Sequence, residues 1–204
     1  MDTTIAIWWD SITMWARDLE KWWRVSRLKS YLWKRYLKEN GHYGIVYNLG
    51  IDGDTSTGKL KRFAVEAEAR KPDIIMFATG ANDCTYSTGR NYYVPVETFR
   101  ANMVELINQA RRFTDKIVII WLIPCDETKT IPIPRLPEFS QDMKWITLYN
   151  DILKDVAVQE HVSFVDMLDV IGSQDLEDGM HPMAQGHEKM FVRIKDFLED
   201  NNLI

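Results

Sequence analysis

Ser11, His181 and Asp178 have the side-chain types that acyl transfer uses, and their places in the chain allow them to meet. Ser11 follows the apolar run Ile5 to Trp9 and then Asp10, while Asp178-Gly179-Met180-His181-Pro182 brings a carboxylate and an imidazole three residues apart. Attack on a carbonyl by a serine hydroxyl needs a base for its proton, a group that orients that base, and N–H donors for the developing oxyanion. Ser11 is the candidate nucleophile, His181 the base, and Asp178 the group that fixes the imidazole tautomer. The backbone N–H groups of Ser11 and Gly50 and the side-chain amide of Asn82 are the candidate oxyanion donors. Gly50 suits the role because no Cβ stands between its backbone and a substrate. Losing one such donor typically costs on the order of a hundredfold in kcat.

These residues need a scaffold that gathers them. Short β-branched runs at 3–9, 43–48, 73–79, 116–122 and 162–165 alternate with amphipathic stretches at 20–38, 58–70, 96–113, 143–160 and 184–199. Near-continuous apolar runs such as Ile117-Val118-Ile119-Ile120 read as strands covered on both faces, the habit of parallel sheets. Such alternation implies right-handed crossovers and a three-layer α/β/α sandwich on a five-stranded parallel sheet, with residues 1–204 as one domain. In open α/β sheets, ligands bind beyond the carboxyl ends of the strands. Asp10-Ser11, Asn48-Leu49-Gly50, Gly80-Ala81-Asn82-Asp83 and the Asp178–His181 turn all fall at that edge. The segment 124–142, with Pro132, Pro134 and Pro137, reads as a long irregular loop fit to form a rim or lid.

The four blocks D-S-I-T, N-L-G, G-A-N-D and D-G-M-H-P, in this order across nearly the whole chain, resemble those of the SGNH (GDSL-like) hydrolases. The naming residues of that superfamily map onto Ser11, Gly50, Asn82 and His181. The resemblance implies a flavodoxin-like sandwich that hydrolyses carboxylic esters, whether small acyl, aryl or lipid esters, or else thioesters or acetylated carbohydrates, with no metal and no cofactor. Two positions depart from the family's habit: Trp9 and Trp15 stand where glycine is usual. Six of the eight tryptophans, Trp8, Trp9, Trp15, Trp22, Trp23 and Trp33, crowd the start of the chain. Trp9, Asp10 and Trp15 are accordingly expected to shape the substrate pocket, with Trp9 filling space meant for the acyl group. If it does so fully, the chain is a binding protein that keeps the four blocks without turnover. Trp22, Trp23 and Trp33 read as packing residues.

Other constellations are weaker. Gly53-Asp54-Thr55-Ser56-Thr57-Gly58-Lys59 matches the first seven positions of a P-loop, but Leu60 replaces the magnesium-binding hydroxyl and Asp54 puts negative charge in the cradle, so the segment reads as a helix start. Asp178, His181 and His187 do not have zinc-ligand spacing. His187 reads as structural, His42 and His161 as surface residues, and Asp52 and Asp83 as supports for loop geometry. Ser56 and Ser87 have no comparable partners. Cys84 and Cys125 are too few for a disulfide framework.

At 204 residues, with 46% hydrophobic and 27% charged, the chain has the length and composition of one ordinary domain with a full core. A net charge of −5 and a pI near 5.4 oppose a nucleic-acid surface. The basic stretch 24–38 is interleaved with apolar residues at helical spacing and reads as a solvated helix face. Asp2 and the short apolar run at 5–9 make neither a signal peptide nor a membrane span, so the expectation is a cytoplasmic protein acting on a small-molecule ester.

Overall fold

The computed structural model describes residues 3–14, 44–87, 89 and 93–204, with only the backbone described for Thr13 and Met14. The expected helix at 20–38, the basic stretch within it, His42, and the tryptophans Trp15, Trp22, Trp23 and Trp33 lie outside the described residues.

Among the described residues, a five-stranded sheet runs in the order β2-β1-β3-β5-β7, and every neighbouring pair is parallel. Its strands are β1 (Thr3–Trp8), β2 (Gly44–Asn48), β3 (Ile74–Ala78), β5 (Ile117–Ile120) and β7 (Ser163–Val165). Each lies within one of the expected runs. The central strand β3 is buried at every residue, because helices cover both faces and no position can alternate outward. Register places Ile5 beside both Val46 and Ile74, and Trp8 beside Phe77.

Among the described residues, the helices are α1 (Ser11–Met14), α2 (Ser56–Arg70), α3 (Val96–Ala110), α4 (Glu127–Thr130), α5 (Met143–Gln159) and α6 (Ala184–Asp200). Thr55 caps α2, its Oγ1 accepting the Gly58 N–H, so this helix begins two residues before the expected start. Asp142 does the same for α5 through the Trp145 N–H. Helix α3 lies between α2 and α5 and turns Phe99, Met103, Leu106 and Ile107 into the core, whereas α6 packs against β7 and the short 3-10 turn Ser173–Asp175. Layers of helix, parallel sheet and helix give the expected α/β/α sandwich.

The segment 124–142 is more ordered than a loop. It contains α4, a bridge between Ile133 and Leu136, and β6 (Phe139–Ser140). Strand β6 pairs antiparallel with β4 (Tyr86–Ser87), forming a small ribbon beside the main sheet. Tyr93 stacks on Phe139 with ring centroids 4.8 Å apart, and the Gln141 side chain donates to the Ala81 carbonyl at 2.7 Å. These contacts bind the segment to the loop after β3.

Candidate active site

Because all five strands of the main sheet are parallel, their carboxyl ends share one edge, and the polar residues singled out in the sequence gather there. After β1 the chain passes through Trp9 and Asp10 to Ser11, the first residue of α1. Asp10 is buried, and its Oδ1 accepts the Ile12 N–H at 3.0 Å, which folds the turn that presents Ser11. From near the other end of the chain, His181 reaches back so that its Nε2 lies 3.0 Å from Ser11 Oγ. The opposite ring nitrogen, Nδ1, is 2.8 Å from Asp178 Oδ2. With Nδ1–H donating to that carboxylate, Nε2 is left as the acceptor facing the serine.

The turn that carries both residues is held tightly. Asp178 Oδ1 accepts the backbone N–H groups of Met180 and His181 at 3.1 and 2.9 Å. Burial pushes the Asp178 carboxyl up, but the hydrogen bond and charge of His181 and these two N–H groups outweigh it and hold the group well below the usual carboxylate range. Asp178 therefore stays ionised and can balance an imidazolium. Gly179 has φ +91°, and a Cβ there would lie 2.8 Å from Lys129 Cβ and 2.9 Å from Thr130 Cγ2. Its carbonyl accepts the Asp126 N–H at 2.8 Å, joining the turn to the start of α4.

A cavity of about 350 Å³ opens beside Ser11 and His181. Its polar side includes Gly53, Asn82 and Gln141, and its apolar side includes Ile12, Leu122, Ile123, Ile133, Ile146 and Met180. The buried amide of Asn150 fixes the stretch after β5, accepting the Leu122 N–H at 2.8 Å and donating to the Leu122 carbonyl. Asn82 donates through Nδ2 to the Asp54 carbonyl at 3.0 Å.

Several sequence expectations are relocated by the structure. Gly50 is not in the cavity wall, and its N–H, expected to face an oxyanion, donates to Asn48 Oδ1 at 3.0 Å. The glycine that does line the cavity is Gly53, at φ +70°, in the turn closed by the Asp54 N–H on the Ile51 carbonyl. Its signal was the G-D-T-S stretch already singled out as a helix start. Trp9 and Asp10 are 3% and 1% exposed and are not among the residues that line the cavity. Trp8 is core, its ring 4.7 Å from Phe63, with Nε1 donating to Glu66 at 2.7 Å.

The P-loop likeness dissolves as well, because Lys59 is fully buried and cannot meet a phosphate. Asp83 supports loop geometry as expected. It accepts the Ser56 hydroxyl at 2.5 Å and the Ser56 N–H at 3.0 Å, and burial raises it to about 6 against those bonds. His187 is buried in α6 and His161 is exposed at the end of α5. Among the described residues, no group of three His, Cys, Asp or Glu could hold a metal. Cys84 and Cys125 are free and buried, and burial pushes both thiols up, Cys125 to about 11, which suppresses the thiolate a cysteine nucleophile would need.

Comparison with known proteins adds to this geometry. A curated relative, the lipoprotein YqeF of Bacillus subtilis (strain 168), is 28% identical over 149 residues, which is 68% of this chain. The match spans 61% of that relative's length. Its designation as a lipoprotein corrects the expectation of cytoplasmic residence. A lipid anchor is a covalent addition, and neither net charge nor core composition reports it. No helix among the described residues is long and apolar enough to cross a membrane.

Among solved structures, a lipase/acylhydrolase from Enterococcus faecalis superposes with a TM-score of 0.76 at 25% identity, covering 98% of this chain and 96% of that one. An acetylxylan esterase from Geobacillus stearothermophilus gives 0.72 at 19% identity, covering 98% and 94%, and so shares the fold. The GDSL-like Lipase/Acylhydrolase family matches residues 10–189, a span that holds Ser11, Asn82, Asp178 and His181, and the chain belongs to that family.

Proposed function

We propose that this chain hydrolyses carboxylic esters with apolar acyl groups through an acyl-serine intermediate. The observation that carries the reading is the approach of His181 Nε2 to within 3.0 Å of Ser11 Oγ at the mouth of a largely apolar cavity. Ser11 Oγ attacks the ester carbonyl carbon while its proton passes to His181 Nε2, and Asp178 balances the imidazolium. The carbonyl oxygen, now an oxyanion, is met by the N–H groups of Ser11 and Gly53 and the amide of Asn82. Collapse of the tetrahedral intermediate expels the alkoxide, which takes the proton from His181. Water then attacks the acyl-serine with the same proton transfers, releasing the carboxylic acid and restoring Ser11. The step needs a neutral imidazole, because an imidazolium cannot accept the serine proton.

The apolar walls favour alkyl or aryl acyl groups over an acylated sugar seated in the same space. The lipoprotein relative supports residence outside the cytoplasm, which fractionation of the producing cells tests.

The test of the chemistry is covalent labelling. A fluorophosphonate probe is expected to modify the wild type and not Ser11→Ala, and a panel of chromogenic esters of increasing acyl length is expected to be cleaved by the wild type alone. Absence of labelling in folded wild-type protein would refute the reading.

A further inference from the structure

Lys59 is the one Lys or Arg fully buried among the described residues, and the mechanism above gives it no task. A buried ammonium is costly unless anions surround it. Three do. Its Nζ is 3.8 Å from Asp54 Oδ2 and donates to the Asp54 carbonyl at 3.5 Å, and Asp10 and Asp83 are within electrostatic reach. Arg62 donates to the same Asp54 oxygen, Oδ2, at 2.6 Å and adds a like charge near Lys59.

Each of the three carboxylates is the chain neighbour of an oxyanion donor: Asp10 precedes Ser11, Asp54 follows Gly53, and Asp83 follows Asn82. Each also shapes its own turn. Asp10 accepts from Ile12, Asp83 anchors Ser56 at the start of α2, and the Asp54 carbonyl that receives Lys59 Nζ also receives Asn82 Nδ2 at 3.0 Å. Three turns from three strand ends therefore carry carboxylates whose charge acts on this one buried cation, Asp54 in direct contact and Asp10 and Asp83 through space, with Arg62 as a second cation on Asp54. Burial pushes the Lys59 ammonium down, while the same three carboxylates pull it up.

We propose that Lys59 is a positioning residue for the oxyanion hole, its buried charge binding the Asp10, Asp54 and Asp83 turns together so that the donors on Ser11, Gly53 and Asn82 converge. The inference rests on the ester-hydrolase reading above. Lys59 touches no substrate, so its removal acts on the transition state through donor placement.

The experiment uses the whole chain, a chromogenic ester, and an alkyl boronic acid that forms a tetrahedral adduct at Ser11. Lys59→Met is expected to lower kcat about 10- to 100-fold, the scale of a small misplacement, with KM within about twofold. Boronate affinity should fall in parallel, while affinity for the product carboxylate holds. Lys59→Met/Asp83→Asn, which removes one anion with the cation, is expected to recover part of both losses, as a residue acting by charge balance must and a mere packing residue would not. A folded Lys59→Met with wild-type kcat overturns the proposal, and so does a double variant no better than the single. If Lys59→Met does not fold, the double variant decides: folded and active supports charge balance, while unfolded or inactive defeats it. Wild-type turnover and its loss in Ser11→Ala are measured first. Failure there sinks the hydrolase reading and this proposal with it, whereas failure at Lys59 alone leaves the hydrolase standing.

Discussion

A serine hydroxyl keeps its proton at neutral pH, so Ser11 attacks only while His181 offers a neutral Nε2, and that tautomer is held by Asp178 on Nδ1. Asp178→Asn keeps the shape but offers the wrong partner to the ring. Steady-state kinetics are expected to show kcat reduced by about 10⁴, with KM little changed. A loss of less than about tenfold would mean that the backbone of the turn alone orients the imidazole. Trp9 belongs to the same scale. As a core side chain outside the cavity wall, it should give no faster enzyme when cut to glycine. Trp9→Gly is expected to lose about 3–5 kcal/mol by denaturant unfolding, with no rise in kcat/KM on a short aryl ester. A rise would put the indole back in the path of the acyl group.

The elements differ in how far the sequence revealed them. The five strands of the main sheet were legible because a strand buried on both faces must be apolar throughout, and runs such as Ile117–Ile120 carry that signal locally. The β4–β6 ribbon was not, since two-residue strands have no periodicity and are held by distant partners, Tyr93 on Phe139 and Gln141 on Ala81. Ser11, Asn82, Asp178 and His181 could be placed at the sheet edge because each follows or precedes a clear element. Gly50 and Gly53 differ for a local reason the sequence does not display: the Asn48 side chain accepts the Gly50 N–H, and the cavity is lined by Gly53 instead. The direction of Trp9 was equally hidden, because a residue just past a strand can turn inward or outward. The turn bearing His181 makes its own prediction. Gly179→Ala must hold φ +91° and push against α4, so a loss of about 1–2 kcal/mol from the backbone alone is expected, seen as a lower Tm, with kcat falling as the Asp178–His181 pair shifts. Unchanged Tm and kcat would show that the turn adapts freely.

For the molecule as a whole, two carboxylates, the buried Asp83 and the half-buried Asp178, pull stability in opposite directions with pH. Asp83 is raised to about 6 by burial, so the folded protein holds that proton more firmly than the unfolded chain does. The stability it confers is complete below the ordinary aspartate range and is lost as pH rises through about 6. Asp178 is lowered, so its contribution is present above the ordinary range and disappears only in strong acid. Between about pH 4 and about 6.5 the Asp83 contribution declines while that of Asp178 is already complete, and urea unfolding is expected to show a smaller pH-dependent decline in Asp83→Asn than in the wild type. Equal slopes would mean that Asp83 is not the group that titrates.

Ser11 and His181 are separated by 170 positions along the chain yet share a hydrogen bond. During synthesis the hydroxyl leaves the ribosome 170 residues ahead of its base, so a chain halted before Asp178 displays an inert alcohol on a partly assembled sheet. Hydrolytic competence then arrives in one step when the final turn docks, and a turnover assay on a translating or refolding population counts finished molecules while fragments stay silent.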